Sequence, residues 1–225
     1  SSVCIKEYDL VMDEEITIIN TNTRNKKIKD FFINNKKNLI IVISIIIFLL
    51  IGYFAFDETK KRSKIKLANE YSRVTMSYNE DKKEKATKEL VSIINKQDDT
   101  YSPLALYFLI DNNLIDNKDE INNLFDVLIN EIHFENEIKN LIIYKKALYN
   151  SNFADESALI KILDPIINSK SIWKSHGLYL MAEYFYSKNE KQKAKEFFSQ
   201  ILTLSNINNE IKLESQKRLN RDLSE

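Results

Sequence analysis

Glycine and proline are almost absent from this chain, whose 225 residues include only two of each. Both residues mark turns and interrupt helices. Their scarcity, set against many Ile, Leu, Lys and Glu residues, favours helices joined by short polar turns. No segment alternates apolar and polar residues for long enough to predict a strand. The sequence therefore predicts an all-α protein.

The chain also has only one cysteine and no net charge. Cys4 is the only cysteine, so neither an intrachain disulfide nor a cysteine-based metal cluster can form. The 33 basic residues balance 33 acidic ones, which argues against a broad nucleic-acid-binding surface. Charged residues make up 29% and aromatic residues 11%, a composition that suits a folded domain better than a disordered tail.

One long apolar run is present, the eighteen uncharged residues from Leu39 to Phe56. As a helix it would extend about 27 Å, close to the hydrocarbon thickness of a bilayer. A buried core helix fits less well, because the run is apolar on every face and flanked by lysines. We predict a tail over 1–37, a single transmembrane helix over 38–57 and a helical domain over 58–225.

The exit from the apolar run favours an uncleaved signal anchor over a cleaved signal peptide. Cleavage after Ala55 would place the bulky Tyr53 where a small residue is needed. Met12 resembles a natural start, so residues 1–11 are either an upstream extension or part of the native protein.

Basic residues flank both ends of the run in nearly equal number. They are Arg24, Lys26, Lys27, Lys29, Lys36 and Lys37 before it, and Lys60, Lys61, Arg62, Lys64 and Lys66 after it. Lys36 and Lys37 lie nearest and favour a cytoplasmic N-terminus, and a long domain can be exported regardless of charge. We expect a cytoplasmic tail and an exported domain. The inverted topology, a cytosol-facing adaptor, is the alternative.

Beyond the run, apolar residues recur at helical spacing. The predicted helices are 58–79, 82–96, 103–115, 119–132, 135–150, 155–168, 171–188, 190–204 and 207–223. Pro103 and the stretch from Asp116 to Asp119 suit helix starts, with proline in the first turn and aspartate at the cap.

Residues 175–206 resemble a tetratricopeptide repeat. The signature positions hold Leu178, Met181, Ala182, Phe185, Ala194, Phe198, Ile201 and Leu202. Asn189 replaces a turn glycine, which asparagine permits because it accepts left-handed backbone angles. Steps of 36 residues lead from Ala194 to Ala158 and on to Ala86, whereas Asn122 breaks the series and suggests a slip of one residue. This predicts an α-solenoid of four degenerate helix pairs and a terminal helix.

The resemblance places several side chains on the concave face of the solenoid. The candidate partner-binding residues are Tyr71, Tyr78, Tyr107, Ile143, His176, Tyr179, Glu183 and Tyr186. A ladder of tyrosines offers rigid amphipathic contact area to a bound protein. In the alternative interpretation the tyrosines pack between neighbouring helices and only their hydroxyls reach water.

Motifs for catalysis are not apparent. There is no glycine-rich phosphate loop, no nucleophile elbow and no calcium loop. His133 and His176 fall on different predicted helix pairs without a second ligand at metal spacing. We predict no enzyme activity, no cofactor, no metal and no small-molecule substrate.

The short charged tail, single span and degenerate repeats together resemble the YfgM-like family over Met12–Glu225. Lys60–Leu67 (KKRSKIKL) is similar to its juxtamembrane helix. Members are ancillary subunits of the SecYEG translocon, with a repeat domain shared with the CpoB group. The resemblance implies a bacterial inner-membrane protein whose periplasmic domain contacts translocon subunits, chaperones or exported chains.

Two functions follow as expectations. The first is a membrane-anchored interaction module that assists protein export and folding. The alternative is a scaffold component of an envelope complex for cell division or outer-membrane assembly.

Overall fold

The structure, a computed structural model, describes residues 24–205 and 207–223. Its regular elements there are helical and no strand occurs in this part of the chain, which confirms the all-α prediction for it. The helices are α1 (24–34), α2 (Lys36–Met76), α3 (Lys83–Ile94), α4 (Tyr101–Asp111), α5 (Lys118–Glu131), α6 (Asn136–Asn150), α7 (Glu156–Ile167), α8 (Lys174–Ser187), α9 (Lys191–Leu202) and α10 (Asn209–Lys217).

The apolar run lies within α2, a helix of 41 residues. By length and composition it is the one helix in the described ranges that could cross a membrane, and none of its most apolar window is buried. The predicted elements 38–57 and 58–79 form one continuous helix. Two pairs four residues apart support the polar stretch, Lys61 with Asp57 at 2.7 Å and Arg62 with Glu58 at 2.8 Å.

The chain divides between Ser63 and Lys64 into two compact units. In the second unit, each helix from α3 to α9 packs against the next helix in the chain, and α8 against α9 makes the most extensive contact. Further contacts join α3 to α5, α6 to α8 and α8 to α10. The packing is therefore local in sequence.

The predicted starts of α4 and α5 lie within two residues of the observed ones, but the first residue of α4 and the capping residue of α5 differ from the prediction. Pro103 is the third residue of α4, because that helix begins at Tyr101. Asn117 rather than an aspartate caps α5, and its Oδ1 accepts hydrogen bonds from the backbone N–H groups of Asp119 and Glu120 at 2.9 and 3.3 Å.

The odd-numbered helices from α3 to α9 each contain a buried triplet at spacings of four and three, to which α3 adds Ile94 and α5 adds Leu124. The triplets are Ala86, Leu90 and Ile93; Ile121, Phe125 and Leu128; Leu159, Leu163 and Ile166; and Ala194, Phe198 and Ile201. The slip at Asn122 is confirmed, since Ile121 takes the buried position. The alignment of Ala158 is wrong, because that residue is exposed and Leu159 is buried instead.

The intervals between equivalent buried positions are consequently uneven. From Ala86 to Ile121 is 35 residues, from Ile121 to Leu159 is 38, and from Leu159 to Ala194 is 35. The uniform step of 36 approximates this series but shifts the register in the middle of the domain.

A partly buried amide pair accounts for the polar residue at position 122. Asn122 and Asn150 each donate an Nδ2 hydrogen bond to the other's Oδ1, at 3.0 and 2.8 Å. Asn150 is buried and also donates to the carbonyl of Lys146. The pair joins α5 to α6.

Three turns use left-handed backbone without glycine. Gln97, Asn113 and Asn189 have φ angles of 56°, 49° and 59°. The left-handed conformation predicted for Asn189 is confirmed. Asparagine adopts it with modest strain, whereas a glutamine there costs about 1–2 kcal/mol.

Replacing Gln97 with glycine should therefore stabilise the protein by about 0.5–1 kcal/mol. This is the backbone strain that glycine relieves, minus the entropic cost of ordering a more flexible residue. Denaturant unfolding of the full chain in mild detergent measures this. Asn189→Gly is the matched control, expected to change the unfolding free energy by less than about 0.5 kcal/mol. An unchanged or lower stability for Gln97→Gly would contradict the prediction.

Candidate interaction groove

The second unit carries an open apolar groove of about 500 Å³ between α2, α4, α5 and α6. It is lined by Tyr71, Leu104, Tyr107, Phe108, Ile110, Asp111, Phe125, Lys145, Leu148 and Tyr149. Eight of these ten side chains are aliphatic or aromatic. A concave apolar surface with a few polar groups is the usual form of a binding site.

Two leucines make the rim of the groove apolar. Leu104 is 40% exposed and Leu148 is 48% exposed. Both lie on helices that direct other apolar residues into the core, so these two side chains do not serve internal packing. The groove therefore keeps apolar area in contact with water, as binding surfaces do.

Asp111 and Lys145 provide the charges of the groove. The Lys145 ammonium lies 4.7 Å from the centre of the Tyr107 ring, a cation–π contact. Within the described part of the chain, neither Asp111 nor Lys145 forms a salt bridge. Each charge is available to an opposite charge on a bound molecule.

Tyr71 and Tyr107, two of the predicted residues, come together in this groove. Burial raises the pKa of Tyr107 to about 12. Burial, and secondarily the carboxylate of Asp111, raise the pKa of Tyr71. Both rings thus present neutral hydroxyls near neutral pH, suited to hydrogen bonds with a peptide backbone.

Tyr78 adjoins the groove without lining it. Its ring meets Phe108 edge to face, with centroids 5.6 Å apart. Its hydroxyl donates to the carboxylate of Glu80 at 3.3 Å. Tyr78 therefore contacts the groove only through Phe108, which is one of its lining residues.

Ile143 does not offer an accessible side chain, since it is 6% exposed and belongs to the core. The 38-residue interval shifts the register here, and the neighbouring Tyr144 takes the half-buried position. Sequence reasoning missed Tyr144 because it applied a uniform period.

The last three predicted residues contact other parts of the domain, Glu183 and Tyr186 through Arg218 and Tyr179 through α9. Arg218 forms a two-point salt bridge with Glu183, with both N–O distances 3.0 Å, and its guanidinium lies 4.6 Å from the Tyr186 ring centre. The Tyr179 ring packs against Phe198 at 5.6 Å. These side chains are engaged within the fold.

One contact pattern connects most of the tyrosines. Five contacts join a tyrosine on, or just past, an even-numbered helix to the next even-numbered helix or to a residue adjoining its end. The pairs are Tyr71–Tyr101, Tyr78–Phe108, Tyr107–Lys145, Tyr144–Trp173 and Tyr186–Arg218. Packing between neighbouring helices, the alternative interpretation of the ladder, describes all five. Tyr71 and Tyr107 also line the groove, so the two interpretations coexist there.

His176 lies in an aromatic cluster away from the groove. Its ring centroid is 4.9 Å from that of Trp173 and 5.6 Å from that of Tyr144, beside a cavity of about 230 Å³. Its Nδ1 is buried and has no hydrogen-bond partner in the described structure. Burial lowers the pKa of His176 below its usual 6.5.

Stability should consequently decrease in mild acid. The unfolded chain takes up a proton at position 176 near pH 6.5, whereas the folded chain resists it until a lower pH. The stabilisation is complete above pH 6.5 and is lost as the pH falls through the lowered pKa. Denaturant unfolding between pH 7.5 and 5 measures how the free energy of unfolding changes with pH. This change should be smaller for His176→Gln than for His133→Gln, which replaces the other, exposed histidine. Equal slopes would contradict the assignment to His176.

Sequence reasoning missed Leu104, Leu148, Asp111 and Lys145. For the two leucines, the sequence offered one signal, which is that they fall outside the buried positions of their helices. Among the residues that the structure describes, no group of three His, Cys, Asp or Glu side chains is placed to hold a metal ion.

Comparison of the chain with protein-family models, with curated proteins and with solved structures found no match.

Proposed function

We propose that this protein is a membrane-anchored interaction module in which a tetratricopeptide-like α-solenoid presents the groove to other proteins. The observation that carries the proposal is the combination of one long apolar helix with an open apolar groove whose charges are unpaired. The resemblance to the YfgM-like family supplies the setting. In that setting the protein assists export and folding at the Sec translocon of a bacterial inner membrane.

Features of the second unit support the tetratricopeptide-like assignment. The buried triplets recur on four successive odd-numbered helices, and the helices pack mainly on their chain neighbours. In the last pair, the small residues Ala182 and Ala194 are fully buried where α8 and α9 meet. These properties are typical of stacked helical repeats.

Anchoring and weak binding act together in the proposed function. A groove of about 500 Å³ accepts a few apolar side chains rather than a whole domain. Affinity for a single segment is therefore modest. Confinement to the membrane raises the effective concentration of nearby partners and compensates for it.

Crosslinking of intact cells followed by purification of the full chain tests the partner class. We expect translocon subunits, periplasmic chaperones or exported chains to be enriched. If division or outer-membrane assembly proteins are enriched instead, the envelope scaffold function replaces this proposal.

The proposed topology has its own test. Protease added to spheroplasts should digest the domain beyond α2 and leave the segment before it protected. Protection of the domain would assign the inverted topology and remove the export function.

A further inference from the structure

The helix that precedes the apolar run has an exposed apolar face. In α1, Ile28, Phe31 and Phe32 are spaced by three and four residues and therefore share one side of the helix. Their exposed fractions are 48%, 57% and 57%. Lys27 and Lys29 precede and follow Ile28, which puts them about 100° to either side of that face. The result is an apolar strip bordered by lysines.

The charge of this segment is strongly positive. Residues 24–37 contain six cations and a single acid, Asp30. None of these seven side chains forms a salt bridge within the described part of the chain. Within residues 24–205 and 207–223, no side chain of opposite charge neutralises them through a salt bridge.

The other flank of the apolar run differs. There Lys61 pairs with Asp57 at 2.7 Å, Arg62 pairs with Glu58 at 2.8 Å, and Lys64 pairs with Asp99 at 2.9 Å. The two flanks have similar numbers of cations but differ in how many are paired. The difference identifies the segment before the run as the one built for an external anionic partner.

We infer that α1 lies on the membrane surface and binds phospholipids with anionic headgroups. Helices that lie in the interface bury an apolar strip at the headgroup boundary and direct lysines to the lipid phosphates. The lysine stems reach past the apolar strip to place their ammonium groups among the headgroups. An acidic protein surface would satisfy the lysines but would leave Phe31 and Phe32 exposed.

The position of α1, directly before α2 in the chain, also favours lipid headgroups as its partner. A single residue, Asn35, separates α1 from α2, and its carbonyl accepts a hydrogen bond from the Leu39 N–H at 2.9 Å. If α2 spans the bilayer, as the proposed function requires, α1 is held at the level of the headgroups. The inference therefore rests on that anchoring and adds a lipid class to it.

Hydrogen–deuterium exchange of the full chain in lipid nanodiscs tests the inference. Discs of phosphatidylcholine alone are compared with discs that contain about 30% phosphatidylglycerol, an anionic fraction large enough to attract basic segments. The amides of α1 should exchange at least about five-fold more slowly in the anionic discs, since one interfacial cation contributes about that factor.

Three variants separate lipid binding from a general effect of charge. Lys26→Gln/Lys27→Gln/Lys29→Gln should lose the slowing. Lys61→Gln/Arg62→Gln/Lys64→Gln removes the same charge from the other flank and should retain it. Phe31→Ser/Phe32→Ser keeps every cation and should also lose it, because the apolar strip is gone.

Each contrary outcome is distinct. Equal exchange of α1 in both discs, with the apolar part of α2 protected, overturns the inference and leaves the anchoring intact. Fast exchange of the apolar part of α2 overturns the anchoring itself. Protection of α1 in native membranes but not in anionic discs would assign the surface to a protein partner and overturn the lipid assignment.

Discussion

Replacing Phe198 with alanine should lower the free energy of unfolding of the full chain by about 4 kcal/mol. Phe198 is fully buried on α9, and its ring contacts Tyr179 on α8. Removing it leaves a cavity between the two helices that make the most extensive contact in the domain. The remaining side chains cannot fill that space without moving their helices. The loss of stability therefore includes both the transfer free energy of the removed ring and the cost of the cavity.

Denaturant unfolding in mild detergent, followed by far-UV circular dichroism, measures this loss. Phe153→Ala is the matched control, because Phe153 is 38% exposed and its ring makes an aromatic contact with Tyr149 and a cation–π contact with Lys118. We expect the control to lose no more than about 1.5 kcal/mol. A loss below about 1 kcal/mol for Phe198→Ala would mean that α8 and α9 do not pack as described.

Changing both rim leucines of the groove to glutamine should weaken the capture of partner proteins at least about ten-fold. Leu104 and Leu148 project from the rim into solvent, so an anchor side chain that binds there loses apolar contact with both. Two lost contacts of about 1 kcal/mol each exceed the 1.4 kcal/mol that corresponds to a factor of ten. Crosslinked co-purification with quantified yields measures the effect.

Leu213→Gln provides the control for the rim variant. Leu213 lies on α10, is 54% exposed and does not line the groove. Its substitution should leave capture unchanged, and all three leucine changes should leave the melting temperature within about 2 °C because the side chains are partly solvated. If the rim variant captures partners as well as the parent protein, the groove is not the binding surface.

Much of the fold could be predicted because it depends on periodic signals. The apolar run identified the long helix, and the alternation of apolar stripes with polar turns placed the helices near their observed bounds. The buried triplet around Ala194 followed from its small residue and from Phe198 four positions later. Each of these features depends on a few residues that are close together in the sequence.

The register in the middle of the domain could not be predicted in the same way. Whether Ala158 or Leu159 is buried depends on how α7 rotates against its neighbours, which a fixed period does not specify. The same uncertainty placed Ile143 on the accessible face instead of Tyr144. A single extra residue rotates a helix by about 100°, enough to exchange a core position for a surface one.

The groove itself was only partly predictable. Tyr71 and Tyr107 were proposed from their spacing, yet the rim leucines and the charges of Asp111 and Lys145 belong to the site only because α4 and α6 lie side by side there. For the tyrosines farther along, the C-terminal Arg218 decides their surroundings. No local pattern relates that residue to Glu183, which lies 35 positions earlier.

The local character of the helix contacts has a consequence for biogenesis. Extensive contacts reach no farther along the chain than the second helix away, so each newly delivered helix finds its partners already present. A polypeptide threaded N-terminus first can therefore fold progressively behind the point of emergence, without waiting for its last residues. Truncations from the C-terminal end should accordingly leave the earlier helix pairs ordered.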